Sequence, residues 1–175
     1  MRQLLLLRHA KSSWDDPKLP DHARPLNARG RRAAEAVRGV LSGLGLRPDL
    51  VLVSSARRTL QTLEALEPWD GVPAVEPLDA LYLAGAADLL AALQAGGREA
   101  GCVMLLGHNP GLHELALLLC GPGSEPAERA RLEDAFPTAS LAVLSVAGAW
   151  PELGAGGGAL RHFVRPADLP GAAAP

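Results

Sequence analysis

Two histidines and three arginines stand at or just beyond the ends of apolar runs in this chain. Arg8-His9 closes Leu4-Leu5-Leu6-Leu7, and Gly107-His108 closes Val103-Met104-Leu105-Leu106. Arg57 and Arg58 follow Leu50-Val51-Leu52-Val53-Ser54-Ser55, and Asp79 follows a weaker apolar stretch near Val72–Glu76. These residue types suit a phosphoryl group. A guanidinium fork binds two phosphate oxygens at once, and a helix starting after His108 adds amide donors and a favourable dipole. A neutral imidazole can attack phosphorus, while a second one donates to charge building on the equatorial oxygens. Neighbouring guanidinium groups disfavour imidazolium and so keep the nucleophile unprotonated. A carboxylic acid nearby can protonate the leaving group. Metal binding is the competing use of paired histidines, but it needs a third ligand, and arginines in the same pocket repel a cation.

Such residues act together only if the backbone gathers them. Apolar runs at 3–8, 50–53 and 102–106 are short and continuous, which predicts strands buried on both faces. The segment 11–26 holds Pro17, Pro20 and Pro25 and reads as a loop. Asn27 then caps a helix whose Ala33, Val37, Val40, Leu41 and Leu44 recur at helical spacing, with Gly45 as its stop. Further helices are expected from about Ala56 to Leu66, from Ala86 to Leu93 before Gly96-Gly97, and from Asn109-Pro110 through Leu119 by an N-cap and N1-proline pairing. Residues 121–137 are rich in Pro, Glu and Arg and read as a surface excursion. Late strands are expected at Leu141–Val146 and Leu160–Val164, joined by a flexible hairpin at Gly154–Gly158. That glycine run opens no helix, so it is not a phosphate-binding loop.

Strands alternating with helices imply an α/β three-layer sandwich: a mostly parallel central sheet, helices on both faces, and a last pair adding an antiparallel edge. In such sheets ligands bind beyond the carboxyl ends of the strands, where His9, Arg58, Asp79 and His108 all fall.

The bulk composition removes several function classes. At 175 residues, 48% hydrophobic and 21% charged, the chain reads as one soluble domain over 1–170 with a frayed tail at 171–175. A net charge of −2, from 17 basic and 19 acidic residues, gives no general field for nucleic acid. Leu4 to Leu7 is too short for a signal peptide or membrane span, so a cytoplasmic protein is expected. Cys102 and Cys120 lack metal-type spacing and sit in or beside apolar runs, which marks them as packing residues.

The motifs resemble those of the histidine phosphatase superfamily, which includes the cofactor-dependent phosphoglycerate mutases. Arg8-His9-Ala10 is similar to its Arg-His-Gly signature, with alanine in place of the usual glycine. Ser54 to Thr62 is similar to its Ser-x-x-x-Arg-x-x-Gln-Thr element, which selects Arg58 over Arg57, and Leu106 to Gly111 resembles its second-histidine segment. Arg24-Pro25-Leu26-Asn27 with Gly30, and Phe163-Val164-Arg165-Pro166, resemble the short SixA-type branch named for phosphohistidine phosphatases. The likeness runs from residue 3 to about 169 and implies a phosphoglycerate mutase-like fold.

It also implies a metal-independent phosphatase with no cofactor, acting through a phosphohistidine on His9. Arg8, Arg58 and His108 hold the phosphoryl oxygens, and Asp79, three residues before Tyr82, takes the proton-donor position or serves only as a capping or surface residue. Asn109, Lys11 and Ser12 are expected at the substrate, with Asp15 near the entrance. The substrate is either a phosphorylated protein or a small phosphate ester, with no nucleic acid or membrane partner. The chain has little insert to enclose a mutase intermediate. A non-catalytic phosphate- or phosphoprotein-binding module on the same fold is the alternative.

Overall fold

The computed structural model describes residues 1–170; the expected frayed tail at 171–175 lies outside the described residues. Six strands form one sheet: β1 (Arg2–Arg8), β2 (Leu50–Ser54), β3 (Ala74–Leu78), β4 (Cys102–Gly107), β5 (Leu141–Val146) and β6 (Gly158–Val164). Their order is β3-β2-β4-β1-β5-β6. β3, β2, β4 and β1 are mutually parallel, while β5 runs antiparallel to both β1 and β6. The sheet is therefore mostly parallel, with its antiparallel pairs at one side.

Leu4 to Leu7 show why a continuous apolar run becomes a central strand. All four are fully buried, with Leu4 and Leu6 in the core on one face and Leu5 and Leu7 in the core on the other. The helices α1 (Ala28–Gly43) and α2 (Arg57–Glu64) cover the Leu5 face through Ala33, Val37, Leu41 and Leu63. Three others, α3 (Ala86–Gly96), α4 (Gly111–Leu119) and α5 (Pro126–Asp134), cover the Leu4 face through Leu89, Leu93, Leu115 and Leu132. Burying one such leucine contributes roughly 1.5–3 kcal/mol. No helix among the described residues is long and apolar enough to cross a membrane. Cys102 and Cys120 are buried and unpaired, and burial pushes the Cys102 thiol up to about 12.

Three expectations need correction. Residues 121–137 contain the helix α5, because Pro126 starts it and Leu132 anchors an otherwise polar turn in the core. The weak strand lies two residues later than expected; it is the sheet's edge, where Pro77 costs no ladder bond. Asn109-Pro110 does not form the expected N-cap and N1 pair. Pro110 itself occupies the N-cap of α4, and the Asn109 amide donates to the Phe136 carbonyl at 2.9 Å.

Parallel register brings the strand ends to one rim: Arg8 lies opposite Gly107, and Ser54 opposite Leu78. The loop after β1 is clamped to the start of α1. Asn27 caps α1 by accepting from the Gly30 amide at 2.7 Å, and the Asn27 amide donates to the Lys11 carbonyl at 3.0 Å. A Cβ at position 30 would come within 2.2 Å of that carbonyl oxygen. Gly30→Ala is therefore expected to lower unfolding free energy by roughly 1–3 kcal/mol, read from a urea midpoint. An unchanged midpoint contradicts this close approach.

Candidate active site

The strand ends converge on a cavity of about 500 Å³ whose lining includes Arg8, His9, Arg24, Arg58, His108 and Asn109. The imidazole centroids of His9 and His108 are 5.2 Å apart, and both rings are almost fully buried. Arg58 is 4% exposed and reaches His108 Nδ1 with Nη2 at 3.4 Å, whereas Arg57 points to solvent. Of the residues expected at a site, the structure brings His9, Arg8, Arg58, His108 and Asn109 around one space, with Lys11 and Ser12 at its wall.

Local hydrogen bonds set each ring. His9 Nδ1 lies 2.7 Å from the Ala10 carbonyl oxygen, an acceptor only, so Nδ1 carries the proton. Nε2 is then a free lone pair with no protein partner among the described residues. A guanidinium can only donate, so His108 Nδ1 accepts from Arg58 and its Nε2–H donates to Ser54 Oγ at 2.7 Å. Burial first, then the guanidinium groups of Arg58 and Arg8, hold His9 down at about 4. Burial, His9 and Arg58 hold His108 lower still, at about 3. Both rings are therefore neutral near pH 7.

The residues around Arg58 tie α2 to the neighbouring loops. Thr62 Oγ1 donates to the Arg58 carbonyl at 2.7 Å and accepts from the Ala10 amide at 3.0 Å, joining α2 to the residue after the nucleophile candidate. Gln61 Oε1 accepts from the Leu26 amide at 2.8 Å, and Thr59 bonds back to the Ser54 carbonyl at 2.7 Å. Ala10 is fully buried, and its methyl belongs to the core beneath α1. Arg8 Nη1 donates to the Phe136 carbonyl at 3.1 Å, while its buried Nε has no protein acceptor among the described residues.

Asp79 stands apart from this cluster. It opens the 3₁₀ turn Asp79–Leu81, is exposed, and does not line the cavity. What that turn delivers is Tyr82, whose ring packs edge-on against His108 at 5.5 Å. Asp15 is exposed and is not among the lining residues.

Asp21 was not indicated by sequence. It sits in the proline-bearing loop before α1, where no periodicity marks a functional carboxylate. Its Oδ2 accepts from Arg58 Nη2 at 3.0 Å, its carbonyl from Arg58 Nη1 at 2.8 Å, and its Oδ1 from Arg24 Nη1 at 3.1 Å. The Tyr82 hydroxyl also donates to Oδ2. That hydroxyl, then Arg58 and Arg24, hold the Asp21 carboxyl down at about 2. Arg24 is buried and further tied to Ser12 Oγ at 2.7 Å and the Ser13 carbonyl at 3.1 Å, so Ser12 serves the loop as well as the rim.

The depressed histidines tie stability to pH. Between about pH 4 and 6.5 the unfolded chain takes up protons on these rings that the folded chain refuses, so stability falls as pH drops through that window. Asp21 adds its own loss only at lower pH, as its carboxylate approaches about 2. The urea midpoint should fall from pH 6.5 to 4 in the unmutated protein, with a flatter dependence in His9→Gln and His108→Gln. Parallel slopes in all three would contradict the assigned neutral rings.

Comparison with known proteins gives the same direction. The family model described as histidine phosphatase superfamily (branch 1) matches residues 4–81. An uncharacterized protein of Mycobacterium tuberculosis is 35% identical over 159 residues, 90% of this chain and 98% of that one. The candidate phosphohistidine phosphatase SixA of Nakamurella multipartitia is 32% identical with a TM-score of 0.82, covering 94% of this chain and 95% of that one. The structure of the protein histidine phosphatase SixA complexed with tungstate aligns with a TM-score of 0.76 at 25% identity, over 95% of this chain and 98% of that one. The chain belongs to the histidine phosphatase superfamily, in its SixA-type branch, and is a phosphatase-type hydrolase.

Proposed function

We propose that this protein hydrolyses phosphohistidine through a covalent phosphohistidine of its own, formed on Nε2 of His9. The observation that carries the reading is the His9 ring itself: neutral, with Nδ1–H bound to Ala10 and Nε2 left as a lone pair in a cationic cavity. Nε2 attacks phosphorus, and the bond to the substrate's leaving atom breaks. Arg8 and Arg58 neutralise the equatorial oxygens. Ser54 can both donate and accept. When a phosphoryl oxygen takes the Arg58 N–H, His108 can exchange tautomer through water, losing its Nε2 proton and gaining one at Nδ1. Nε2 then accepts from the Ser54 hydroxyl and Nδ1–H donates to a second oxygen. Water then cleaves the phosphohistidine to inorganic phosphate and restores the ring.

The leaving group decides between substrates. Among the described residues no carboxylic acid lines the cavity, Asp79 lies outside it, and Asp21 is held as a carboxylate by its three donors. An alkyl phosphate leaves as a strongly basic alkoxide and needs a placed acid. The imidazole of a phosphohistidine takes its proton from water near neutral pH, so it needs none. The SixA of similar fold is complexed with tungstate, an oxyanion like phosphate, which supports an oxyanion as occupant of this cavity. Bound cations are disfavoured among these guanidinium groups, so activity should persist in chelator.

Turnover of a phosphohistidine peptide and of 4-nitrophenyl phosphate tests the scheme. His9→Ala should abolish both, Arg58→Ala should cost about 10²–10³-fold and Arg57→Ala little, as judged by kcat/KM. Asp79→Asn should leave the peptide rate within about threefold, a difference of less than 1 kcal/mol. Activity surviving in His9→Ala, or equal losses at 57 and 58, would overturn these assignments.

A further inference from the structure

The phosphate cavity does not stand alone. A second cleft of about 370 Å³ lies beside it and shares Lys11, Pro137 and Thr138 as a common wall. Its remaining sides are Arg29 and Ala33 of α1 and the segment Arg165 to Ala167. Among the described residues no carboxylate side chain lines either space, although acidic residues outnumber basic ones in the chain, 19 to 17.

Lys11 is fixed at the junction by its backbone, between the Asn27 amide and Gly30. Among the described residues its ammonium makes no ion pair, and neither do Arg29, Arg31 and Arg32. Arg165 differs, because Asp168 at 3.4 Å and Asp134 at 4.0 Å answer its charge. The uncompensated charge on this side of the cavity is therefore that of Lys11 and Arg29.

The arginines run against local electrostatics. A helix start carries the positive end of its dipole and favours acidic side chains. The first turn of α1 has none, and the helix instead begins Ala28-Arg29-Gly30-Arg31-Arg32. A local rule broken beside a site, at some cost to the helix, points to another use for the charge.

We infer that the cleft receives an acidic stretch of a phosphorylated protein adjoining its phosphohistidine, with Lys11 and Arg29 meeting carboxylates while His9 meets the phosphoryl group. The inference rests on the phosphohistidine reading above. A chain segment suits the surface better than a small ester, because Trp14 and Leu83, 75% and 54% exposed, leave apolar area for a partner at the cavity wall.

Two phosphohistidine peptides of equal length test it, one carrying glutamates beside the phosphohistidine and the other glutamines. The glutamate peptide should have a kcat/KM about fivefold higher at low salt, a margin that shrinks at about 0.5 M salt. Arg29→Glu, a change suited to a helix start, should abolish or reverse that preference while leaving 4-nitrophenyl phosphate turnover unchanged. Equal rates for the two peptides in the unmutated protein would overturn the cleft's role. An equal gain from a carboxylate-bearing aryl phosphate would assign the cleft to small substrates and overturn the protein partner. Failure of the unmutated protein to turn over 4-nitrophenyl phosphate or either peptide would strike the phosphatase reading itself.

Discussion

Arg58 is a permanently charged group with almost none of its surface in water, and most of the cavity is arranged around that fact. A buried guanidinium is tolerated only when its donors are met. Asp21 meets two of them, through its carbonyl and its carboxylate, and His108 a third contact. The same charge that Asp21 balances also helps keep His9 and His108 unprotonated. One ion pair thus fixes the orientation of the fork and takes part in setting the state of both imidazoles.

An incoming phosphoryl group changes that balance. Its oxygens compete with Asp21 for the Arg58 donors and add negative charge that the cavity otherwise lacks. Arg8, whose buried Nε lacks a protein acceptor and which pairs with no carboxylate among the described residues, adds a second cation. The site is then electrostatically complementary to a dianion and poorly suited to a metal ion, which follows from residue types and placement rather than from any occupant.

Much of this was legible in the sequence, for a definite reason. Leu4 to Leu7 and Val103 to Leu106 are too short for helices and too apolar for surface strands, so they had to be central strands, and parallel strands end on one rim. His9 and His108 followed from that rule, and the likeness of Ser54 to Thr62 to the superfamily's arginine element chose Arg58 over Arg57. Asp21 was illegible because its role depends on a loop folding back over α2, a contact between residues 37 positions apart. The helix α5 was hidden because a single leucine, Leu132, anchors it in the core, which no periodicity can reveal. Asp79 was singled out from its distance to Tyr82; the turn it opens sets the tyrosine ring against His108, and the cavity lining includes neither residue.

The covalent role of His9 Nε2 admits one direct measurement. The unmutated protein, mixed with a phosphohistidine peptide and quenched at alkaline pH within milliseconds, is digested and sequenced by mass spectrometry. The account predicts an acid-labile phosphoryl group on His9 that forms and decays at rates matching turnover. Steady turnover with no phosphoryl group on His9, or with one on His108 or another side chain, would contradict it.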